Sequence, residues 1–185
     1  MRRKDREITD ICAILELVSE CKVCRLAMTD GGVPYIVPLN YGYEYADGAL
    51  TFYFHSAKEG RKLEILKKNP TVCLELDGRG ELVEDANPCA YGYTFASVIG
   101  TGNVEFIEYT EEKIYALNRI MKHQAGIEAP FTASMADAVC LYKKLFCICC
   151  VNCSQSFDCK QISIISPITE ELKKSTIIHF KFQPI

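Results

Sequence analysis

Residues 54–70 of the chain, FHSAKEGRKLEILKKNP, bring a serine and two adjacent basic residues to the start of an amphipathic pattern. Ser56 and Glu59 have the spacing of a capping box, which predicts a helix that begins at Ser56 and ends before the proline. The first N–H groups of a helix lack intrahelical partners and its dipole is positive there, so this end favours a phosphate. Arg61 and Lys62 are placed to close over such an anion. On local physics alone, the same residues also fit an ordinary solvent-exposed helix.

His55 is the candidate for proton transfer, because a histidine can give or take a proton near neutral pH. It ends a predicted strand directly before the candidate anion site. A histidine in such a turn often only hydrogen-bonds a phosphate or the backbone, and the sequence leaves both interpretations open. His123 and His179 have no chemically useful neighbours, so we expect them to be structural or exposed. No carboxylate pair or Ser-His-Asp arrangement stands out.

The chain contains 11 cysteines, and an odd number without an export signal argues against a disulfide framework. Cys21 and Cys24 have the spacing of a redox motif, but they begin a predicted strand rather than a helix, and we interpret both as core residues. Five others crowd together without the two separated ligand pairs of a structural zinc site, so we assign no metal site. These are Cys147, Cys149, Cys150, Cys153 and Cys159.

The composition excludes some classes of partner. The charges nearly balance, with 21 basic and 24 acidic side chains and a net charge of −3. Nucleic acids and anionic membranes need a clustered basic surface, so we expect neither as a partner. No apolar stretch approaches the roughly 18 residues of a membrane helix, and the basic N-terminal residues are not followed by a signal-peptide core. We therefore expect a cytoplasmic protein.

The clearest local pattern is a strict alternation over residues 35–45, with tyrosines and aliphatic residues on one face. Asp47-Gly48 is a favoured two-residue turn, and residues 50–55 alternate again. Together these segments predict one long hairpin. Pro38 cannot donate a ladder hydrogen bond, so this strand has an open edge or a bulge there, where a flat ligand could lie.

Periodicity and turn residues predict the remaining elements. Thr9 or Asp10 caps a helix that starts at Ile11 and ends before Cys21, and Thr110 caps a second helix. Further strands are expected at 22–28, 71–76, 89–95, 97–107 and 138–145, with connections at 78–88 and 123–134. Strands outnumber helices and the hairpin implies antiparallel pairing. The pattern therefore predicts an α+β fold whose sheet curls into a barrel.

Six stretches together resemble the nitroimidazole-resistance protein family, within the pyridoxamine 5'-phosphate oxidase-like superfamily of FMN-binding split barrels. They run in the family's order over about residues 1–145, and they are specific in combination. The stretches are CKVCRLAM, PYIVPLNYGYEY, YFHSAKEGRK, NPTVC, SVIGTG and ALNRIMKHQ. The resemblance implies a mainly antiparallel split β-barrel with flanking helices, and FMN as the cofactor.

The resemblance also implies where the flavin ring lies. One group of residues on the first hairpin strand supports the ring, and a second group approaches it from its other side. The first group is Val37, Pro38, Leu39 and Asn40, and the second is Ser97 and Val98. Members of this superfamily are usually homodimers with each flavin at the subunit interface. The long tyrosine-rich face of the hairpin fits such an interface.

For the FMN phosphate, the resemblance implies a site formed by His55 and Ser56 together with Arg61 and Lys62. These residues match the superfamily's Ser-Arg-Lys phosphate motif, except that Gly60 replaces a serine. This agrees with the anion site suggested by the local pattern.

The predicted function is an FMN-dependent reductase that passes electrons from a nicotinamide cofactor, NAD(P)H, to a small acceptor such as a nitroimidazole. The flavin carries the chemistry and His55 supplies a proton. Three alternatives remain open. They are an oxidase of a pyridoxamine-like amine, a flavin- or haem-binding protein without turnover, and a thiol–metal module in the cysteine-rich tail.

The resemblance ends near Lys143-Lys144, which divides the chain into a split-barrel domain, 1–145, and an atypical cysteine-rich tail, 146–185. Our hypothesis for the tail is a frameshifted C-terminus, because the paired lysines would suit slippage in an adenine run. Resequencing that junction tests it, and a confirmed reading frame would refute it.

Overall fold

The structure, a computed structural model, describes the backbone of residues 4–153 and the side chains of residues 5–145. This part contains four α-helices, ten strands and short 3-10 turns at Lys4–Arg6 and Pro88–Ala90. The helices are α1 (Ile11–Glu20), α2 (Arg61–Lys68), α3 (Thr110–Ala125) and α4 (Ala133–Asp137). The strands are β1 (Val23–Asp30), β2 (Val33–Asn40), β3 (Gly42–Ala46), β4 (Ala49–Ser56), β5 (Thr71–Gly78), β6 (Leu82–Val83), β7 (Gly92–Tyr93), β8 (Ala96–Asn103), β9 (Glu105–Phe106) and β10 (Cys140–Cys153).

Eight strands form one antiparallel sheet in the order β2-β1-β5-β8-β10-β4-β3, with β9 beside β10. The two short strands β6 and β7 pair separately. The long strand β10 joins the two halves of the sheet, because residues 140–146 pair with β4 and residues 147–153 pair with β8. A bulge between Ile148 and Cys150 marks the second half. The predicted α+β class and split-barrel architecture are confirmed.

The alternating run at residues 35–45 is two strands, so the single long hairpin predicted from it is wrong in its first half. Strand β2 pairs with β1, whereas β3 pairs with β4. Tyr41 lies between them, fully buried, and its hydroxyl oxygen lies 2.8 Å from the carbonyl oxygens of both Val18 and Cys21, which share its one proton. The predicted turn is confirmed, because Asp47 and Gly48 have φ of 52° and 77°, as a two-residue hairpin turn requires.

The first helix forms as predicted. The Asp10 carboxylate accepts hydrogen bonds from the backbone N–H groups of Cys12 and Ala13, which caps α1. The buried face of α1 includes Leu17 and Val18, and it packs in the main core with the inner faces of the large sheet. A second, smaller core lies beneath α3.

Close packing fixes where α3 crosses the sheet. A Cβ at Gly42, in β3, would lie 2.4 Å from backbone atoms of Arg119 and Ile120 in α3. Only glycine fits at that contact, which holds α3 directly on the β3–β4 hairpin. Helix α3 ends at Ala125, and the next residue, Gly126, has a φ of 73°, the left-handed conformation common after a helix.

Several predicted boundaries are corrected. Residues 89–95 form a 3-10 turn and the short β7, the 78–88 loop contains β6, and residues 97–107 divide between β8 and β9. Thr110 is the first residue of α3 rather than its cap, and the 123–134 connection begins only after Ala125. The last strand starts at Cys140 and continues beyond residue 145 to Cys153, because β8 offers it a partner. The domain boundary after residue 145 stays a prediction, and residues 154–185 lie outside the described part.

In the described part of the chain, we find no helix that is both long enough and apolar enough to cross a membrane.

Candidate functional site

An open cavity of about 260 Å³ lies where the inner face of β2 meets the start of α2. Its walls combine apolar groups from the strand with polar and basic groups from the segment before and inside the helix. The lining residues are Tyr35, Val37, Ser56, Ala57, Glu59, Gly60, Arg61, Lys62 and Leu63. Four of the predicted site residues therefore meet in one place: Val37, Ser56, Arg61 and Lys62.

The start of α2 differs from the predicted start. Ser56 is the last residue of β4, and its hydroxyl donates to the carbonyl of Ala57 at 3.0 Å, so the predicted capping box does not form. Gly60 is the residue before the helix, with φ 134° and ψ 161°, and no side chain caps the helix there. The N–H groups of Arg61 and Lys62 thus lie at an uncapped helix end that borders the cavity.

The Arg61 guanidinium is held by two contacts. Its Nε donates to the Asp30 carboxylate at 3.0 Å, and its central carbon lies 4.5 Å from the centroid of the Tyr35 ring. The second basic residue, Lys62, is half-buried, and its Nζ lies 5.9 Å from the ring centroid of Tyr142. Burial lowers the pKa of Lys62. The cavity therefore has one exposed, oriented cation and one partly buried cation on the same side.

His55 lies beside this site without lining the cavity. It is the residue before Ser56 in β4, and it pairs with Leu141 of β10. Although the residue is exposed overall, partial burial of its ring lowers the pKa of His55, and the positive charge of Lys62 lowers that pKa further. The neutral imidazole is therefore favoured at neutral pH.

The other predicted residues on β2 occupy different environments. Leu39 is half-buried and packs against the main core, whereas Pro38 is exposed on the opposite face. The Asn40 side chain donates at 3.0 Å both to the carbonyl of Lys22 and to the side-chain oxygen of Gln124. Its amide thus ties the end of β2 to α3, and it lies three residues from the cavity-lining Val37.

Ser97 and Val98 are not brought to the cavity within this chain. Both lie on β8, which is separated from β2 by β1 and β5 in the same sheet. Val98 is buried in the main core, and Ser97 is half-buried opposite Asp77. Their predicted contact with the flavin stays a prediction.

Two residues beside the cavity were not predicted from the sequence. Tyr35 shares a face of β2 with Val37, so the alternation that selected Val37 could also have selected Tyr35. Asp30 ends β1 just before the Gly31-Gly32 turn, and nothing in the local sequence indicates that its carboxylate contacts Arg61.

His123 and the two free cysteines Cys21 and Cys24 have structural roles. His123 is half-buried, and its Nε2 lies 2.9 Å from the carbonyl oxygen of Cys21. Cys21 and Cys24 are buried, as predicted, and burial raises the pKa of Cys24 to about 12. Neither thiol is therefore suited to nucleophilic chemistry.

Among the side chains that the structure describes, no group of three or more His, Cys, Asp and Glu residues is placed to hold a metal ion. The cysteine cluster at positions 147–159 and His179 lie outside the described side chains, so the predictions for them stay predictions.

Comparison with known proteins places this arrangement in a family. A family model described as pyridoxamine 5'-phosphate oxidase matches residues 10–138. A candidate 5-nitroimidazole antibiotic resistance protein from Bacteroides thetaiotaomicron has a crystal structure with 33% sequence identity to this chain. The match covers 80% of this chain and 82% of that one, with a TM-score of 0.65. No curated protein sequence matches the chain.

More distant structures share the fold. An FAD and haem binding protein from Mycobacterium smegmatis has 14% identity, covers 83% of this chain and 74% of its own, and gives a TM-score of 0.68. An FAD-binding protein from Mesorhizobium loti has 24% identity, with 78% and 93% of the two chains covered and a TM-score of 0.51. The architecture, the family model and the relative with 33% identity agree. The chain therefore belongs to the pyridoxamine 5'-phosphate oxidase-like family of FMN-binding split barrels.

Proposed function

We propose that this protein is an FMN-dependent reductase that takes electrons from NAD(P)H and passes them to a small acceptor, with nitroimidazoles as the first class to test. The observation that carries the proposal is the cavity between β2 and α2, which combines the Arg61 and Lys62 cations with an uncapped helix end. Family membership and the nitroimidazole-resistance relative support the choice of cofactor and acceptor.

The groups around the cavity fit the phosphate of FMN. Arg61 offers a planar guanidinium, Lys62 offers an ammonium group, and Ser56 offers a hydroxyl. A phosphate there would also meet the N–H groups at the start of α2, where the helix dipole favours an anion. Among the described residues, no carboxylate contacts Lys62. The Asp30 carboxylate contacts Arg61 only at Nε.

The flavin ring needs more space than this cavity provides. Its volume of about 260 Å³ is below the roughly 300–1,000 Å³ of pockets that enclose most of a ligand. We propose that the ring extends from the phosphate site along β2, past Val37 towards Leu39, which lies on the same face of the strand. The half-buried Ser97 of a second copy, with the backbone of the adjacent Val98, would then approach the ring from its other side, because two strands separate both residues from β2 in their own copy. The proposed protein is thus a homodimer.

When bound, FMN would supply the redox chemistry that connects the nicotinamide to the acceptor. The chain's own contribution is to hold the phosphate, to leave part of the ring accessible to the substrates, and to provide a proton. We assign the proton to His55, which lies next to Ser56 at the cavity's edge. Reducing a nitro group to an amine takes several hydride equivalents, so the acceptor must be reduced in repeated turnovers.

The first test is anaerobic titration of the FMN-loaded, full-length protein with NADH and NADPH. We expect the flavin absorption bands to bleach, and a 5-nitroimidazole added afterwards to restore them. Flavin binding without bleaching by either nicotinamide would leave a flavin-binding protein and refute the reductase. Failure to bind FMN would refute the whole proposal.

The phosphate site is tested separately with Arg61→Ala. We expect the Kd for FMN to rise by about 10- to 100-fold, as for loss of a charge-assisted hydrogen-bonding group, and the Kd for riboflavin to stay unchanged. Lys67→Ala is the matched control, because Lys67 is an exposed cation in the last turn of the same helix and does not line the cavity. An equal loss in both variants would mean that only general charge matters.

A further inference from the structure

Asp30 does not line the cavity but contacts Arg61, one of the residues that do. It is the last residue of β1, and the two-residue turn Gly31-Gly32 connects it directly to β2. Asp30 pairs with Val33 across that turn, so its backbone is fixed by the β1–β2 hairpin. Its side chain is partly exposed and accepts the hydrogen bond from Arg61 Nε at 3.0 Å.

Two elements of the same hairpin orient the Arg61 guanidinium. Asp30 holds the Nε edge of the group, and the Tyr35 ring lies against its face at 4.5 Å. The two terminal nitrogens of Arg61 make no hydrogen bond to any described residue. These nitrogens form the edge that can bind two oxygens of a phosphate at once. The Asp30 contact therefore leaves the phosphate-binding edge available.

A carboxylate near a phosphate site has two opposite effects. Its charge repels the anion, but its hydrogen bond restricts a long, flexible side chain to one orientation before the ligand arrives. Glu59 allows the two effects to be separated. It lines the cavity, so its charge would repel the phosphate, but it makes no ion pair with Arg61. If repulsion dominated at Asp30, removing either carboxylate would strengthen phosphate binding.

We infer that Asp30 is a positioning residue that holds Arg61 ready for the phosphate of a flavin mononucleotide, an inference that rests on the proposed function. Asp30 lies at the end of the β1–β2 hairpin and bonds Arg61 only at Nε, so it can orient the guanidinium without occupying the edge that would bind the phosphate. The hydrogen bond outweighs the repulsion because it fixes the guanidinium that would bind the phosphate directly.

The test measures the Kd for FMN and for riboflavin, which lacks the phosphate, with the full-length protein. For Asp30→Ala we expect the Kd for FMN to rise about three- to fivefold, the range that an exposed ion pair supports, with riboflavin unchanged. For Glu59→Ala we expect the Kd for FMN to fall or stay unchanged. Asp30→Asn keeps a side-chain acceptor for Nε and should remain within about twofold of the natural protein.

A double variant completes the test. In an Arg61→Ala background, Asp30→Ala should no longer weaken FMN binding, because the residue that it positions is gone. Tighter FMN binding in Asp30→Ala, as in Glu59→Ala, would show that Asp30 only repels the anion and would overturn the inference. Equal weakening of riboflavin would overturn it too, since that indicates a distorted cavity. A natural protein that binds neither ligand would instead refute the proposed function, and the role of Asp30 with it.

Discussion

The imidazole ring of His123 lies 4.7 Å from the ring of Tyr41, centroid to centroid, and is tilted by 32° from it. The contact joins the last turn of α3 to the residue where the chain passes from β2 to β3. His123 Nε2 lies 2.9 Å from the carbonyl oxygen of Cys21, so this nitrogen must carry the proton. Burial lowers the pKa of His123 to about 4, and the positive charge of Lys22 makes a smaller contribution in the same direction.

This relationship predicts that the protein loses stability in mild acid. Between pH 6.5, the ordinary pKa of the ring, and pH 4, the unfolded chain binds the His123 proton and the folded protein does not. The free energy of unfolding should therefore fall as the pH falls through that window, by on the order of 2 kcal/mol after allowing for the ring's partial contact with water.

Urea unfolding at several pH values measures this loss. His123→Gln is the control, because it keeps an N–H donor for the Cys21 carbonyl but does not titrate. The difference in unfolding free energy between the two proteins should narrow as the pH falls from 6.5 to 4. A constant difference over that range would show that His123 does not cause the acid sensitivity.

Two fully buried tyrosines should respond differently to loss of the hydroxyl. The Tyr41 hydroxyl shares its proton between two backbone carbonyls, whereas the Tyr142 hydroxyl has no hydrogen-bond partner among the described residues. We expect Tyr41→Phe to lower the free energy of unfolding by about 1–3 kcal/mol, because buried carbonyls lose a donor. Tyr142→Phe should leave it unchanged or raise it by about 1 kcal/mol. Chemical denaturation measures both, and equal losses would contradict the assignment of the Tyr142 hydroxyl as unpaired.

Gly60→Ala should destabilise the start of α2. The backbone of Gly60, at φ 134° and ψ 161°, lies in a region that is essentially restricted to glycine. An added Cβ would meet no heavy atom within 4 Å, so the cost comes from the backbone and not from a clash. We expect a loss of about 1–3 kcal/mol in the free energy of unfolding, together with weaker FMN binding.

The control for this substitution is Gly92→Ala. Gly92 has no positive φ, and its added Cβ would make only an ordinary contact of 3.7 Å with Val83. Its unfolding free energy should change by less than about 0.5 kcal/mol. Similar losses at both positions would mean that the Gly60 backbone carries no special strain.

His55→Gln should slow acceptor reduction without weakening the flavin site. As general acid catalysis by one side chain contributes about 100-fold or more, we expect a rate loss of that order, with the Kd for FMN within about twofold. Because the pKa of His55 is lowered, the imidazolium form accumulates only below pH 6.5. Single-turnover acceptor reduction should thus accelerate as the pH falls below 6.5 in the natural protein, and not in the variant. Parallel pH profiles would remove His55 from the proton-transfer step.

Features that depend on residues close together in the sequence could be predicted from the sequence. The α1 cap at Asp10 and the turn at Asp47-Gly48 depend on residues within three positions of each other, and both were predicted. The buried state of Cys21 and Cys24 followed from their apolar neighbours. The adjacent basic residues Arg61 and Lys62 were expected in one place and do line one cavity, whereas their binding of an anion stays a prediction.

The tertiary structure decided what depends on distant partners. Alternation over residues 35–45 has the same period whether one strand or two are present, and only the core around Tyr41 decides that the chain turns there. The capping box at Ser56 was locally plausible, but pairing with Cys140 extends β4 through Ser56 and moves the helix start to Arg61.

The same reason separates the two halves of the candidate site. The sequence by itself determined which side chains could bind a phosphate, because charge and hydrogen-bonding capacity belong to single residues. Only the fold brought Asp30 to Arg61, 31 positions along the chain, and put two strands between Ser97 and β2. Such contacts arise from strand order and register, which are set by how the whole core packs and not by any local pattern.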